Sequence, residues 1–503
     1  MPRKPPSLLR NPISLLGAVI ASVSTAFGLP LMILDLFSKR THPYVGVLIY
    51  LVLPFVAVGG VALIVLGILW ERRRRQRQPG LVVPPLPHLD LNRPSHQAMI
   101  VTALTAMMIV VVLLSLTGYR AYHFTESVQF CGLVCHRVMK PEHTAYQYSP
   151  HARVACVQCH VGPGADWFVR SKLSGLYQVY AVATKQYPRP IPTPVKNLRP
   201  AQETCEQCHW PAKFFGAQQK SFHHYLADER NSPWQIEMLL KIGGGDPKVG
   251  ATTGIHWHMN IKNAIEYIAA DERREAIPWV RATDLDGHVT EYQSTERPLA
   301  PGQITKASMR RMDCVDCHNR PSHIFQPPDR AVEEAFDAAR LNPSLPYLKR
   351  EAIRLLIQPY RSEDEAQAAI LQGLAAFYQQ SYPEVSREQA VAIQQATEEL
   401  QRIYARNFFP DMRVDWRVSP NHIGHINAEG CFRCHDGLHK SREGQVITKD
   451  CNACHTILAQ GPPEEVAGAR LTAQPFRHPV DVGVDVTEFK CSECHTGTSG
   501  VGP

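Results

Sequence analysis

No cysteine in this 503-residue sequence stands alone. All 14 cysteines fall into seven closely spaced pairs, and a histidine directly follows each pair. Structural disulfides, a zinc site or a thioredoxin-like redox pair would each explain one such motif, but none of them requires a histidine after every pair. The histidine after every one of the seven pairs therefore argues against all three explanations.

Acidic residues are scarce at the N-terminal end of the chain. Residues 1–120 contain 12 of the 53 lysines and arginines but only 3 of the 46 aspartates and glutamates, which gives a net charge of +9. The rest of the chain carries 41 basic and 43 acidic residues, a net charge of −2. The overall charge of +7 thus belongs to the N-terminal segment, and no nucleic-acid partner is expected.

Six of the cysteine pairs have the spacing C-x-x-C-H, and the first pair has one additional spacer residue. Two cysteines at this spacing form thioethers with the vinyl groups of a haem, and the adjoining histidine binds the iron. The sequence therefore predicts seven covalently bound haem c groups, numbered one to seven in chain order. The attaching cysteines are Cys131, Cys135, Cys156, Cys159, Cys205, Cys208, Cys314, Cys317, Cys431, Cys434, Cys451, Cys454, Cys491 and Cys494. The proximal iron ligands are His136, His160, His209, His318, His435, His455 and His495.

Three apolar stretches open the sequence, at residues 13–37, 45–70 and 98–119. Each is long enough to cross a bilayer core, which takes about 20 helical residues. The second contains no charged residue, whereas the first contains Pro30 and Asp35, so an interfacial helix is an alternative for the first. A cleavable signal peptide is not expected, because the apolar run is too long and no small-residue cleavage site follows it.

Positive charges indicate how these stretches are oriented. Arg3, Lys4 and Arg10 precede the first stretch, and six arginines lie between the second and the third. Both segments should be cytoplasmic by the positive-inside rule. The N-terminus is then cytoplasmic, and the chain after Tyr119 lies on the periplasmic side of a bacterial inner membrane. Haem attachment of this kind also takes place outside the cytoplasm, so two independent arguments agree.

The first haem motif begins 11 residues after Arg120, so haem one should lie at the membrane surface. Residues 166–180 place Trp167, Leu173, Leu176, Tyr177 and Tyr180 in a helical pattern. We interpret this segment as a helix at the level of the lipid headgroups. An ordinary core helix packed on a haem is the alternative.

The predicted fold class is mainly α with little regular strand, with three N-terminal transmembrane helices followed by a haem-packed multihaem domain. Asp286-Gly287 suggests a hairpin turn, and the segments beginning at Ser362 and Ser386 resemble capping boxes that start helices. We predict five regions: a membrane anchor (1–120), a three-haem region (121–210), an insert with the fourth haem (211–330), a helical insert (331–420) and a C-terminal three-haem cluster (421–503).

Several other histidines could supply the second axial ligand of each iron. The strongest candidates are His151, His323 and His439, because the last two follow a proximal histidine too closely to reach its own iron. His224, His258, His422, His425 and His478 come next, with His223 and His256 as close rivals. Met139, three residues after His136, is a candidate for haem one. Two protein ligands on each iron would favour electron transfer over catalysis.

Further motifs surround the first three haem sites: Met139, Tyr146-Gln-Tyr-Ser-Pro-His151, Ser171-Lys-Leu-Ser-Gly175, and the motifs of haems two and three. With these, residues 130–210 resemble the NapC/NirT family of membrane-anchored multihaem cytochromes, whose members oxidise quinols and reduce periplasmic partners. Seven haem motifs and a long C-terminal extension are most similar to heptahaem inner-membrane cytochromes of metal-respiring bacteria. The chain departs from the family in the longer first motif, in the position of Met139 and in two additional apolar stretches.

The resemblance implies that His151 binds the iron of a neighbouring haem and that quinol docks beside haem one near Lys172. A lysine can hydrogen-bond a quinone oxygen and favour loss of the quinol proton, although snorkelling of Lys172 to the headgroups is an alternative.

The expected function is oxidation of quinol, with menaquinol as the expected species. Electrons would pass to periplasmic c-type cytochromes in anaerobic respiration. The alternatives are an electron-relay subunit of a larger respiratory complex and a terminal multihaem reductase with an open haem. No C-x-x-C-K motif of the nitrite-reductase kind is present.

Overall fold

The computed structural model describes residues 8–9, 11–37, 52–77, 90–102, 105, 120, 122–162, 164–195, 199–244, 254–259, 264–284 and 286–499. These residues divide into two compact units. The first comprises Met1–Glu126 and Val161–Gln178, and the second comprises Ser127–His160 and Val179–Pro503.

In the first unit, α1 (Pro12–Phe37) packs against α2 (Leu53–Arg77). The Ser14 hydroxyl donates to the carbonyl of Ile64, and Ser24 donates to that of Leu53, so the two helices run antiparallel. A Cβ on Gly17 would lie 2.5 Å from the Gly60 carbonyl oxygen, and one on Gly60 would lie 2.8 Å from that of Gly17. The pair of glycines therefore permits a close approach of the two backbones, as small residues do in membrane helix pairs.

Within the described residues, one helix has the length and composition to cross a membrane, at Phe55–Arg77. The apolar part of α1 is shorter, Pro12–Gly28. Most of the third predicted span, residues 103–104 and 106–119, lies outside the described residues, as do residues 45–51 of the second and the basic residues Arg3, Lys4 and Arg10. Three transmembrane helices therefore stay a prediction.

The second unit contains most of the remaining helices. They are α3 (His136–Gln147), α4 (Cys156–His160), α5 (Ala165–Ala183, which begins in the first unit), α6 (Ala201–Cys205), α7 (Cys314–Cys317), α8 (Pro328–Asp337), α9 (Leu348–Leu356), α10 (Glu363–Ser381), α11 (Pro383–Glu388), α12 (Ala390–Asn407), α13 (Pro463–Ala467) and α14 (Cys491–Cys494).

Two antiparallel sheets accompany these helices. The first has the order β1-β2-β8, with β1 (Gln218–Tyr225), β2 (Pro233–Leu240) and β8 (His455–Gly461). The second has the order β6-β3-β4-β5-β7, with β3 (Ala264–Ile268), β4 (Trp279–Thr283), β5 (Val289–Ser294), β6 (Arg310–Arg311) and β7 (His439–Lys440). Each sheet joins a strand beside one of the last three haem motifs to strands from residues 211–330.

The largest apolar core lies in the helical insert. Leu345, Leu348, Ile370, Leu374 and Leu400 are fully buried there, on helices or loops that carry no haem cysteine. Apolar residues spaced three or four apart along α9, α10 and α12 create one buried stripe on each helix. The insert therefore has a core built mostly from its own side chains, to which Val138, Ala145 and Phe325 are added.

The structure confirms a mainly helical fold but corrects the expectation of little regular strand. Residues of the 211–330 insert form most of the strands in two antiparallel sheets. The predicted hairpin at Asp286-Gly287 is confirmed: β4 pairs with β5, and Gly287 has φ +86°. Ser362 caps α10 by accepting from the backbone of Glu365. The Ser386 prediction is wrong, since Ser386 lies inside α11, which begins earlier at Pro383.

Candidate haem sites

The haem motifs adopt single helical turns. Motifs two, four and seven form α4, α7 and α14, and motifs five and six contain 3-10 turns at Gly430–Arg433 and Cys451–Ala453. In motifs three, four, five and seven the histidine N–H donates to the carbonyl of the first cysteine, at 2.8 to 3.0 Å. Residues three and four apart share one helix face, so a single turn directs both sulfurs and the imidazole to the same side.

The longer first motif contains a π-helical turn, Phe130–Val134. A π-helix joins residues five apart instead of four, which accommodates one more residue in a turn. Cys131 and His136 are five residues apart, whereas the corresponding residues of the other motifs are four apart. The π turn therefore compensates locally for the additional spacer residue.

Six proximal histidines each lie beside a second histidine. The distances between ring centres fall between 5.8 and 6.4 Å. The pairs are His160 with His323, His209 with His151, His318 with His256, His435 with His258, His455 with His425 and His495 with His478.

This spacing fits a haem iron between two imidazoles. A metal lies about 2 Å from an imidazole nitrogen, which lies about 1 Å from its ring centre, so two rings flanking one metal should be about 6 Å apart. The angles between the paired rings range from 3° to 88°, so direct ring stacking does not explain the constant distance. None of the 14 cysteines forms a disulfide, which leaves every sulfur for a thioether.

Five of the eight histidines predicted as second ligands occur in these pairs: His151, His258, His323, His425 and His478. The sixth is His256, which the sequence offered only as a rival of His258. Both lie on the 3-10 turn Ile255–Met259 and serve different pairs. Two residues at this spacing on a tight turn point in different directions, so both histidines can face a proximal histidine.

His439 differs from its prediction. Its Nδ1 contacts the Asp436 carboxylate at 2.9 Å, and its Nε2 contacts the Ile277 carbonyl at 2.7 Å. Burial disfavours a charge on this ring, but the hydrogen bonds to Asp436 and Ile277 together raise its pKa. With both nitrogens engaged in hydrogen bonds, His439 lies at the start of β7 and is not paired with a proximal histidine among the described rings.

His224 and His422 are also not brought to a proximal histidine among the described rings. His224 Nδ1 lies 3.1 Å from the Glu333 carboxylate, which also pairs with buried Lys349. His422 is buried, with Nδ1 3.3 Å from the Asp316 carbonyl, and burial together with the nearby Arg433 charge lowers its pKa to about 4. In each of these rings it is Nδ1 that has the partner, as in most of the paired histidines, so both residues stay predictions as second ligands.

The second ligand of haem one stays a prediction, because the side chain of His136 lies outside the described part of the chain. Met139 is half-buried on α3. Sequence reasoning did not consider His143, two helical turns after His136, whose ring packs on Gly132 so closely that a Cβ there would lie 2.2 Å from it. The glycine between the first cysteines is thus required by this contact.

Cysteines of successive motifs are neighbours. The thiols of Cys131 and Cys156 are in hydrogen-bonding contact, as are those of Cys205 and Cys314. In the other successive motifs, the cysteines lie close enough for their thiols to interact electrostatically. These neighbours are Cys159 with Cys208, Cys317 with Cys431 and Cys434, Cys454 with Cys431, and Cys491 with Cys451. The seven attachment sites therefore form an uninterrupted series in chain order.

Lys172 lies on α5 in the first unit. Its ammonium group pairs with the Glu126 carboxylate, donates to the Thr125 hydroxyl at 3.2 Å and lies 5.1 Å from the centre of the Phe168 ring. Glu126 is mostly buried, and sequence reasoning missed it because nothing in the sequence links it to a residue 46 positions later. Leu173, Leu176 and Tyr177 on the same helix are more than 60% exposed.

Comparison with known proteins adds two findings. Residues 93–190 match the model of the NapC/NirT cytochrome c family, N-terminal region. The chain is 45% identical over 493 residues to "Cytochrome c-type protein ImcH" of Geobacter sulfurreducens, a match that covers 98% of this chain and 96% of the relative. No solved structure matches.

Proposed function

The chain belongs to the NapC/NirT family of c-type cytochromes and is of the ImcH type, and from this premise we propose that it oxidises quinol at the inner membrane and passes the electrons to periplasmic c-type cytochromes. Covalently bound haem c and electron transport follow from the family. The count of seven haems, the quinol and the partners are parts of the proposal.

The observation that carries electron transfer is the set of six histidine pairs at 5.8 to 6.4 Å. An iron held by two imidazoles has no free position for a substrate but can still change its oxidation state. These pairs include all three motifs of the C-terminal cluster, where a terminal reductase would need an open iron. This arrangement argues against the reductase alternative.

Bound haem would supply the one-electron chemistry, and the protein supplies the order in which the haems meet. Because the cysteines of each motif neighbour those of the next, the chain holds its attachment sites as a series from the first motif, which follows the predicted membrane anchor, to the seventh near the C-terminus. Electrons would enter at the first site and leave near the last.

The Lys172–Glu126 pair offers the chemistry that quinol oxidation needs. A quinol loses two electrons and two protons, so its hydroxyls need an acceptor for each proton. The Lys172 ammonium can donate to one quinol oxygen and stabilise the developing negative charge. The Glu126 carboxylate would accept the two quinol protons in turn, releasing the first to the periplasmic side before it takes the second, and the two electrons would pass singly to haem one. The exposed apolar face of α5 suits a helix at the headgroups, where a lipid-soluble substrate arrives.

The test uses the full-length, detergent-extracted holoprotein and a menaquinol analogue, with haem reduction followed optically. Wild type should be reduced, and Lys172→Ala and Glu126→Gln should each be reduced roughly tenfold more slowly or worse, since positioned proton transfer contributes about 100-fold or more. Lys220→Ala removes an exposed lysine on β1 and should react at the wild-type rate.

Dithionite should reduce all four proteins fully, which shows that their haems are intact. Wild type that accepts electrons from dithionite but not from quinol would overturn the proposal in favour of a relay subunit. Normal reduction of both variants would remove the Lys172–Glu126 pair from the mechanism.

A further inference from the structure

The six histidine pairs differ at the nitrogen that faces away from the iron. When Nε2 binds the metal, Nδ1 carries a hydrogen and can donate to an acceptor. That hydrogen bond makes the imidazole a more basic ligand, which stabilises the oxidised iron and lowers the midpoint potential of the haem. The hydrogen-bond partners of Nδ1 therefore indicate which haems should have the higher midpoint potentials.

The histidine pair of haem six, His425 and His455, differs from the other described pairs. Among the described residues, the buried Nδ1 atoms of His425 and His455 have no hydrogen-bond partner. In each of the other five described pairs at least one Nδ1 has an acceptor. At haems five and seven both Nδ1 atoms do, and those of haem five lie 2.8 Å from the carbonyls of Ile255 and Thr448. The ligands of haem six are accordingly the least basic.

A positive charge lies beside the same haem motif. Lys241 follows β2, its backbone N–H donates to the Cys454 carbonyl at 2.8 Å, and its ammonium donates to the carbonyl of Asn452, a spacer residue of motif six. Within the described chain no carboxylate pairs with Lys241. A nearby cation favours the reduced iron, which carries one positive charge less.

The histidine pair of haem seven differs, because both of its Nδ1 atoms have acceptors. His495 Nδ1 donates to the Ser499 hydroxyl at 2.8 Å, and that hydroxyl donates to the Asp329 carboxylate at 3.1 Å. His478 Nδ1 donates to the Val480 carbonyl at 2.7 Å. Both ligands are thus made more basic, and one of them is linked to an anion.

We propose that haem six has a higher midpoint potential than haem seven. The cause is the charge of Lys241 together with the lack of a hydrogen bond at Nδ1 of His425 and His455 among the described residues. An electron that reaches the C-terminal cluster is then held one site before the last, and the final transfer is energetically uphill. The protein would deliver electrons when an oxidised acceptor is docked at haem seven. This inference rests on the proposed direction of electron flow, but the potentials can be measured without quinol.

The test is a mediated potentiometric titration of the full-length holoprotein, followed by optical and electron paramagnetic resonance spectra. Lys241→Gln should lower one midpoint potential, which identifies haem six. Ser499→Ala should raise a different one, which identifies haem seven. In wild type, the first of these two potentials should be the higher.

Two matched variants serve as controls. Lys220→Gln removes the same charge from β1 of the same sheet, and Thr498→Ala removes the hydroxyl next to Ser499 that bonds only Thr496 among the described residues. Neither should shift a potential. A wild-type order with haem seven above haem six would overturn the proposal, as would a Lys241→Gln variant that titrates like wild type.

Failure of quinol to reduce the protein would instead count against the proposed function, because the titration uses mediators and does not depend on quinol.

Discussion

At the scale of single residues, His439 differs from the histidines that face a proximal histidine because both of its ring nitrogens have partners. His425 and His439 are both buried or nearly so and lie close to haem motifs, but only His425 faces a proximal histidine, at 6.0 Å from His455. His439 donates from one nitrogen and contacts a carbonyl with the other. The difference lies in the partners of each ring and not in its distance along the chain from a motif.

Replacement of the two histidines should therefore have different spectroscopic results. His425→Ala should open one axial position and convert one haem from low spin to high spin, whereas His439→Ala should leave the number of low-spin haems unchanged. Electron paramagnetic resonance of the oxidised holoprotein measures both. A high-spin signal in the His439 variant alone would contradict the assignment of the ligands.

From sequence alone, the attaching cysteines and adjoining histidines are easier to predict than the second ligands. The cysteines and the adjoining histidines follow from local spacing, because one helical turn determines their geometry. The second histidine arrives from a distant segment, so its identity depends on the tertiary fold. His323 and His439 had the same sequence argument, yet His323 faces His160 while Asp436 binds His439.

At the scale of secondary structure, one buried ionic cluster joins a strand to the helical insert. Glu333 on α8 contacts Lys349 on α9 at 2.7 Å and His224 on β1 at 3.1 Å, and Lys349 also donates to the Tyr225 carbonyl. Burial alone would raise the pKa of Glu333, but the hydrogen bond from His224 and the charge of Lys349 lower it to about 2. The cluster therefore depends on an ionised carboxylate.

This cluster predicts a pH-dependent loss of stability. The pKa of Glu333 is lower in the folded protein than its ordinary value of 4.5. Its contribution to stability is therefore fully present above pH 4.5 and is lost as the pH falls toward 2. Glu333→Gln should lower the free energy of unfolding by about 3 kcal/mol at pH 7, because it leaves a buried lysine unpaired.

Denaturant unfolding of the two holoproteins at pH 7 and at pH 3 measures this difference, which should shrink at the lower pH. Arg417→Gln, which disrupts an exposed ion pair with Asp415, should change stability by less than about 1 kcal/mol at either pH. An equal loss for Glu333→Gln at both pH values would contradict the role of the ionised carboxylate.

Secondary structure was predictable where one local rule governed it. The helices of residues 331–420 and the hairpin at Gly287 follow from periodic apolar residues, a serine cap and a turn sequence. The two sheets were not foreseen, because β2 and β8 are more than 200 residues apart and short strands such as β7 have no pattern of their own. The π turn of motif one could be predicted only by assuming that its additional residue must still leave both cysteines and the histidine facing one haem.

At the scale of the whole molecule, the number of haems is the prediction most directly measured. Pyridine-haemochrome analysis against protein concentration should give seven haems per chain, and replacement of Cys131 and Cys135 by alanine should give six. The π-helical turn of the first motif is the reason to expect attachment there. Six haems in the wild-type protein would exclude the first motif.

The pairing of His160 with His323 has a consequence for biogenesis. Haem two is attached early in the exported chain, yet its second imidazole comes from beyond the fourth motif. A translocating chain that carries only the first three motifs could be tethered to its cofactors, but haem two would still be open to exogenous ligands and to damaging reaction with oxygen. Complete ligation of haem two would therefore require the chain to be folded as far as His323.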